Sequence, residues 1–474
     1  MKGAAWRALR VVGGLALGFG AAVFAAYSAL AVAYPYPLDY AEGPVLYQVS
    51  LIVRGVQTYQ PLSPHLEFMI AYPPVWASLL AALVPWTGLA LWPGRLVATL
   101  ATLACAGLLA WMVAGETRDR GGGAVSGLLF LGIPYVLATS SIGRSDAWAL
   151  LMSLAGVVTV WKTRGRGWGG PVSVLFFLLA GYTRQSNLLA GPLAAYGGLF
   201  LQGQRRRAMA LAAALAVVLV AVFLALDAWT AGGFSFNTVV VPRDAYHPAV
   251  ALSWVLRVVR TLPVLVGLAL FFLALRLAEG RLDMPVLYLL GAAATVLLAG
   301  KTGAHVNYLL EACAALAWVA GLVWARAKRG DLSEAWGQGL LAALVAVQVV
   351  GGLSTAQGLL PKLWHYRQML KEGRELERWI QDAEGPVVAD AAAAYLVLKG
   401  QDPIWQTFGH ASLVRKGLWD QGPFVDQIRR GEFALIVIQP DIAAWNWTPE
   451  MLAAVEEHYQ VVAQVAGQRI YAPR

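Results

Sequence analysis

Charge is what this chain has least of: Asp, Glu, Lys and Arg together make up 13% of its 474 residues, about half the share found in ordinary soluble domains. Hydrophobic residues fill 58% of it, and its mean hydropathy is +0.59. A soluble globular fold is thereby excluded, and an α-helical polytopic membrane protein is expected. Cysteine is almost absent. Cys105 and Cys313 lie alone in apolar runs, with no CxxC spacing and no histidine cluster beside them, so neither a disulfide framework nor a zinc site follows. The sequence also lacks internal repeats, low-complexity tracts beyond the apolar bias, and any basic run interleaved with aromatics. Nucleic acid is therefore not an expected partner.

The little charge there is falls unevenly. The first 360 residues carry 24 Lys/Arg against 13 Asp/Glu, whereas residues 361–474 carry 12 against 14. This division marks a basic membrane module over 1–360 and a near-neutral soluble domain over 361–474, the pattern of the positive-inside rule.

Apolar runs long enough to cross a bilayer, roughly 17 to 25 residues, begin at 11–34 and continue at 96–114, 125–140, 147–161, 172–182, 188–201, 208–229, 252–277, 285–299, 306–325 and 336–353. That gives about eleven transmembrane helices, some short enough to imply kinks or tilt near Pro134 and Pro192. The mixed first loop, 35–94, holds two short helical pieces, 42–56 and 74–83, expected along the outer membrane surface. With the amino terminus inside, alternate loops collect 16 of the 24 basic residues on the cytoplasmic side, an asymmetry that fixes the topology. An odd span count then puts the carboxy-terminal part outside. There, 363–381 reads as an amphipathic helix, 386–390 and 433–438 as buried strands with helices between and after them, and 460–471 as an edge hairpin, giving a small α/β domain.

Eight basic residues remain on the outward side, several beside other polar groups. Asp39 and Glu42 follow the first span; Arg144-Ser145-Asp146, Arg184-Gln185-Ser186-Asn187 and the segment Lys301 to Asn307, which includes His305, fall at the same membrane face. A cavity there would combine carboxylates with cations. It suits an anionic, membrane-embedded donor attacked by a hydroxyl, with one carboxylate as general base and the cations stabilising a departing phosphate. Each element also has a structural alternative. Asp39-x-x-Glu42 has the spacing of a capping box, and Ser145 or Asp146 could cap a helix. Arg184 and Lys301 could complement helix carboxy termini, and His305 could be a polar boundary residue. Glu311, one turn after Asn307, reads as a buried polar pairing of unassigned purpose.

A first span followed by an outward acidic motif, two short helices, Tyr72-Pro73-Pro74 and then Arg144-x-Asp146 resembles the GT-C glycosyltransferases. These include protein O-mannosyltransferases, the aminoarabinose transferases acting on lipid A, and related bacterial polyprenyl-phosphate-sugar transferases. The ending, with Trp419-Asp420, 433–438 and Tyr459, is similar to the extracytoplasmic α/β domain of many bacterial members. The resemblance implies a GT-C fold in the cytoplasmic membrane and inverting transfer of a hexosyl or pentosyl unit. The donor would be a polyprenyl-phosphate sugar, and the acceptor hydroxyl would belong to a glycan, lipid or protein. It implies that Asp39 is the catalytic base, with Glu42 sharing catalysis or orienting substrate; the mannosyl and aminoarabinosyl branches usually carry adjacent Asp-Glu, whereas two residues intervene here. It further implies that Arg184 and Lys301, with His305 and Asn307, bind the donor phosphate. Arg144 and Asp146 would serve the acceptor or a divalent metal (Mg, Mn or Ca) held by Asp39 and Asp146. A lipid-linked sugar flippase or other transporter using the same cavity is the alternative.

Overall fold

The computed structural model describes residues 2–61, 70–328, 336–355, 364–405 and 408–474. The chain opens with α1 (Lys2–Ala33), α2 (Glu42–Val53), α3 (Pro74–Thr87), α4 (Trp92–Thr117), α5 (Arg120–Gly132), α6 (Pro134–Ser140) and α7 (Asp146–Thr163). All eleven expected spans fall on helical segments. The number that qualifies by length and composition is smaller. Among the described residues, five helices do so: Ala5–Ala33, Trp92–Thr117, Arg205–Trp229, Val306–Lys328 and Gly337–Ser354. Two broken pairs raise this to seven: α5 with α6, bent by 63°, and Pro248–Thr261 with Pro263–Ala278, bent by 99°. The remaining expected spans are short, interrupted or tipped with charge, as α7 is by Asp146 and Lys162.

Both breaks precede a proline, which lacks the donor needed to continue a helix and clashes with the preceding turn. The expected kink at Pro134 is thus a true break. The expected single span 252–277 is corrected to two helices nearly at right angles.

Close helix contacts are made by small residues, as membranes favour. A Cβ on Gly123 would lie 2.6 Å from the Ala110 carbonyl oxygen, and one on Gly127 2.8 Å from that of Ala106, so α5 rides directly on α4. On another face of α5, Gly122 meets Gly321 with the same tightness.

The first of the two short helices of the first loop also differs from expectation. Ten of the twelve residues of α2, Glu42 to Leu51, are buried in protein, so α2 does not lie along a membrane surface. It is wedged between α3 and the helix Ala393–Leu398 of the carboxy-terminal unit.

That unit contains a four-stranded sheet in the order β1-β2-β4-β3, with β1 Val387–Ala389, β2 Leu435–Ile438, β3 Tyr459–Val465 and β4 Gln468–Pro473. β1 and β2 are parallel, with Val388 opposite Ile436, and the rest is antiparallel. The expected hairpin therefore joins the sheet through β4, leaving β3 at the edge. The expected amphipathic helix is found at Tyr366–Gln381; its start at 363, like the boundary at 360/361, lies outside the described residues.

Alternation along the strands sends Val388, Ile436 and Ile438 into a core with Trp405, Phe424 and Trp447. It sends Val387, Ala389, Leu435 and Val437 to the opposite face, where they meet Leu376, Ile380, Tyr34 and Tyr36. The sheet thus packs onto the loop that carries Asp39.

Replacing Gly127 with leucine forces the α4–α5 contact apart and is expected to cost about 1–3 kcal/mol. A lowered thermal midpoint of the detergent-solubilised protein, read by fluorescence-detected size exclusion, checks this; an unchanged midpoint contradicts it.

Candidate active site

The centre of the first loop is held by Arg95, at the start of α4 and wholly buried. Its Nε and one Nη donate to the two oxygens of Glu42, each at 2.7 Å. Its remaining hydrogens reach the carbonyls of Ala31 (2.8 Å), Tyr34 and Tyr36. All five guanidinium donors are therefore satisfied. Glu42 also accepts from the backbone N–H groups of Leu38 (2.7 Å) and Gly143 (2.8 Å). With four donors on two oxygens, it ties the end of α1, the loop 34–42, α4 and the loop before α7 together. No capping box forms, because Glu42 bonds Leu38 instead of Asp39.

Asp39 stands at the edge of this knot, its side chain 17% exposed. One oxygen, Oδ1, accepts from Ala41 N–H at 2.9 Å and from Arg144 Nη1 at 3.3 Å. Among the described residues, no hydrogen bond reaches Oδ2. Asp39 also lines a cavity of about 380 Å³ between the first loop and the carboxy-terminal unit.

Behind Asp39 a chain of alternating charges runs inward. Arg144 donates through Nε to Asp146 Oδ2 at 3.0 Å, Asn307 Nδ2 donates to Asp146 Oδ1 at 3.0 Å, and Arg184 pairs with the same carboxylate. Neither Ser145 nor Asp146 caps α7 with its side chain. Arg184 is further placed by Ser186 Oγ at 2.9 Å and by the face of Tyr308, 4.5 Å away. A small void touches Asp146, Arg184, Asn307 and Glu311; the Oδ1 of Asn307 is buried without a partner among the described residues. Glu311 is paired with Ser153 Oγ at 3.3 Å, the polar pairing expected of it.

Burial opposes the charge of Arg144, but Asp39 and the Tyr72 and Tyr40 hydroxyls hold its pKa above the ordinary guanidinium range. Burial leaves Arg184 below that range. Lys301 is also depressed by burial and makes no ion pair among the described residues. His305 is lowered by burial, with Arg144 nearby adding to the effect, so it is neutral at pH 7; its ring meets Trp254 edge-on. The structure therefore gathers Asp39, Arg144, Asp146, Arg184 and Asn307 into one contact chain. Lys301 and His305 lie on the Asn307 segment, and among the described residues no side-chain hydrogen bond or ion pair joins them to that chain.

A divalent metal between Asp39 and Asp146 does not fit these residues. The Arg144 guanidinium bridges the two carboxylates, and the Asp146 oxygens are engaged by Arg144, Arg184 and Asn307. No group of three His, Cys, Asp or Glu side chains occurs among the described residues either.

Sequence reasoning did not single out Arg95. The available signal was an arginine inside the apolar run 89–114, which requires an opposite charge from elsewhere in the chain; Glu42 is that charge.

Helices broken at prolines, an acidic first loop tied to the helical bundle, and a terminal α/β unit resting on that loop make up a fold that other solved membrane proteins share. Among solved structures, the chain is similar to ArnT from Cupriavidus metallidurans in the apo state. The TM-score is 0.60 at 15% identity, covering 100% of this chain and 98% of that one. It is also similar to ArnT from the same organism bound to undecaprenyl phosphate, with TM-score 0.63 at 15% identity over 97% and 98% of the two chains. No family model matches the sequence, and no curated protein matches it.

Removing either half of the buried Arg95–Glu42 pair leaves an uncompensated charge, so Arg95→Met or Glu42→Leu alone is expected to cost about 3–5 kcal/mol. The double replacement should recover part of that loss. Thermal midpoints of the three variants decide; additive losses in the double variant would contradict a shared interaction.

Proposed function

We propose that this protein is an inverting glycosyltransferase of the cytoplasmic membrane. In this reading the amino terminus is inside, the carboxy-terminal unit is outside, and a sugar passes from a polyprenyl phosphate to an acceptor hydroxyl. The observation that carries it is Asp39, a carboxylate with one oxygen fixed by Arg144 and Ala41 and the other unbonded, lining the large cavity. The likeness of fold to a protein captured with undecaprenyl phosphate supports a lipid-phosphate donor.

In the proposed step, the acceptor oxygen attacks the anomeric carbon from the face opposite the phosphate. Its proton passes to Asp39 Oδ2. The bond between the anomeric carbon and the phosphate oxygen breaks, and its electron pair leaves with the polyprenyl phosphate. Arg184 and Lys301, with Asn307 and the neutral His305, are the groups we assign to that phosphate. Lys301 is suited to it because a partly desolvated cation without an ion pair gains most from an incoming anion. Arg144 orients Asp39, and Asp146 holds the two arginines. Glu42, with its four donors, positions the loop and takes no proton.

Asp39→Asn keeps the size and the Ala41 hydrogen bond but loses the base. Transfer is expected to fall by about 10²–10⁴-fold, while the thermal midpoint and binding of undecaprenyl phosphate persist. Retained turnover would sink the assignment, and vesicle transport of a lipid-linked sugar without glycosylation would favour a transporter. Chelator is expected to leave transfer unchanged, since two arginines occupy the position a metal would need; loss restored by one metal ion contradicts this.

A further inference from the structure

The cavity beside Asp39 has a composition that the donor reading does not use. Its floor is the first loop, from Tyr34 to Tyr40, and one wall is the helix Tyr366–Gln381, which contributes Glu372. The roof is formed just past the carboxyl ends of the parallel strands β1 and β2, by Ala391, Ala392 and Gln439, with Gln468 from the start of β4. Carboxyl ends of parallel strands are where α/β sheets leave a crevice for ligands.

Its charge is one-sided. Asp39 and Glu372 are the ionisable carboxylates that line it, and no Lys, Arg or His does so among the described residues. The cations Arg144, Arg184 and Lys301 all stand outside this lining. Asp39 therefore sits on a divide, with arginines behind it and carboxylate and amide groups in front. An acceptor bearing phosphate would meet only repulsion on the cavity side.

The second observation is an unmet hydrogen bond. Gln468 is 8% exposed; its Oε1, closed off from the cavity space, has no partner among the described residues, although its Nε2 lies 3.5 Å from Gln439 Oε1. A buried amide oxygen left alone is costly, and a turn of the Gln468 side chain that brings its amide to a ligand hydroxyl in the cavity removes the cost. Because a hydroxyl both donates and accepts, it satisfies this amide in either orientation. Glu372 likewise has one oxygen held by Gln368 at 2.8 Å and the other without a partner among the described residues. The rings of Tyr34, Tyr40 and Tyr395 complete the lining with flat apolar surface.

We propose that this cavity receives an uncharged, hydroxyl-rich glycan as acceptor, one or two sugar rings deep, with Gln468 and Glu372 as specificity-determining residues that read its hydroxyls. The proposal rests on the glycosyltransferase reading above and adds the acceptor class. The volume of 380 Å³ falls within the range of sites that enclose a small ligand, about 300–1,000 Å³.

The test is binding without donor, so that it does not depend on turnover. The full chain in lipid nanodiscs is examined by saturation-transfer NMR with maltose, cellobiose, glucose 6-phosphate and a serine-containing hexapeptide. A neutral disaccharide is expected to bind, and the sugar phosphate and peptide are not. Gln468→Leu is expected to weaken disaccharide binding by about fivefold, the loss of one hydrogen bond. Glu372→Lys, on the helix surface where folding is little affected, is expected to admit glucose 6-phosphate. Undecaprenyl phosphate binding, measured in parallel, reports that each variant is folded.

Stronger binding of the sugar phosphate or the peptide to the unaltered protein overturns the proposal, as does failure of both neutral disaccharides to bind. Indifference of disaccharide binding to both substitutions also overturns it. Disaccharide binding in a protein that transfers no sugar would leave this cavity assignment standing and remove the enzymatic reading instead.

Discussion

A guanidinium sealed from water can persist only if every one of its hydrogens is matched, and Arg95 meets that condition with one carboxylate and three carbonyls. Two of those carbonyls, from Ala31 and from Tyr34 just past α1, lie at the helix's carboxy-terminal end, where carbonyls run short of intrahelical donors. The arginine thus supplies donors to the first helix, neutralises Glu42 and fixes the direction in which the chain leaves the membrane bundle. Loop 34–42 has little freedom left once these bonds are made. That rigidity lets a carboxylate next to Leu38 of the knot stand with one oxygen unbonded among the described residues, without collapsing onto a neighbouring donor.

Much of the structure serves to hold this loop from both sides. From below come Arg95 and the backbone of Gly143. From above, Tyr36 donates to Glu377 at 2.8 Å and stacks on Tyr395, and Tyr34 donates to the Met369 carbonyl at 3.1 Å. A Cβ on Gly373 would come within 2.3 Å of the Tyr36 ring, so helix and tyrosine meet at a distance only glycine permits. The α/β unit is consequently more than an appendage. It forms half of the mould around Asp39 and the whole roof of the cavity.

Sequence made some of this legible and not the rest. Apolar run length located all eleven helical segments, because burial in lipid or protein demands it of every residue. Run length could not tell a crossing from a bent pair, since the 99° break at Pro263 lies within an unbroken apolar stretch. Asp39, Arg144, Asp146 and Arg184 were readable as charges stranded at one membrane face, and they do meet. Glu42, three residues from Asp39 in the same loop, read as a second functional carboxylate beside the base. The difference lies in Arg95, fifty-three positions later, a long-range partner that spacing cannot announce. Likewise α2 reads as a surface helix because its sequence is mixed, yet its faces are covered by α3 and by a helix some 350 residues downstream.

The arrangement of charge around Asp39 also bears on why a second carboxylate, not a free cation, follows the arginine. Arg144 lies between Asp39 and Asp146 and bonds to both, while Arg184 and Asn307 share Asp146. Were Asp146 absent, two buried arginines would face each other across a few ångströms of low-dielectric space, and Arg144 would draw Asp39 inward to compensate. With Asp146 present, the arginines are balanced at the back, so that Asp39 supplies only part of the countercharge for Arg144. Its Oδ1 then bonds one arginine and one backbone N–H, and among the described residues no hydrogen bond reaches its second oxygen. A carboxylate proposed to accept a proton has to be held in place and still keep one oxygen open, and these demands conflict when a single arginine has no other partner to satisfy. The inward chain of Arg144, Asp146 and Arg184 removes that conflict, because Arg144 is also bonded to Asp146.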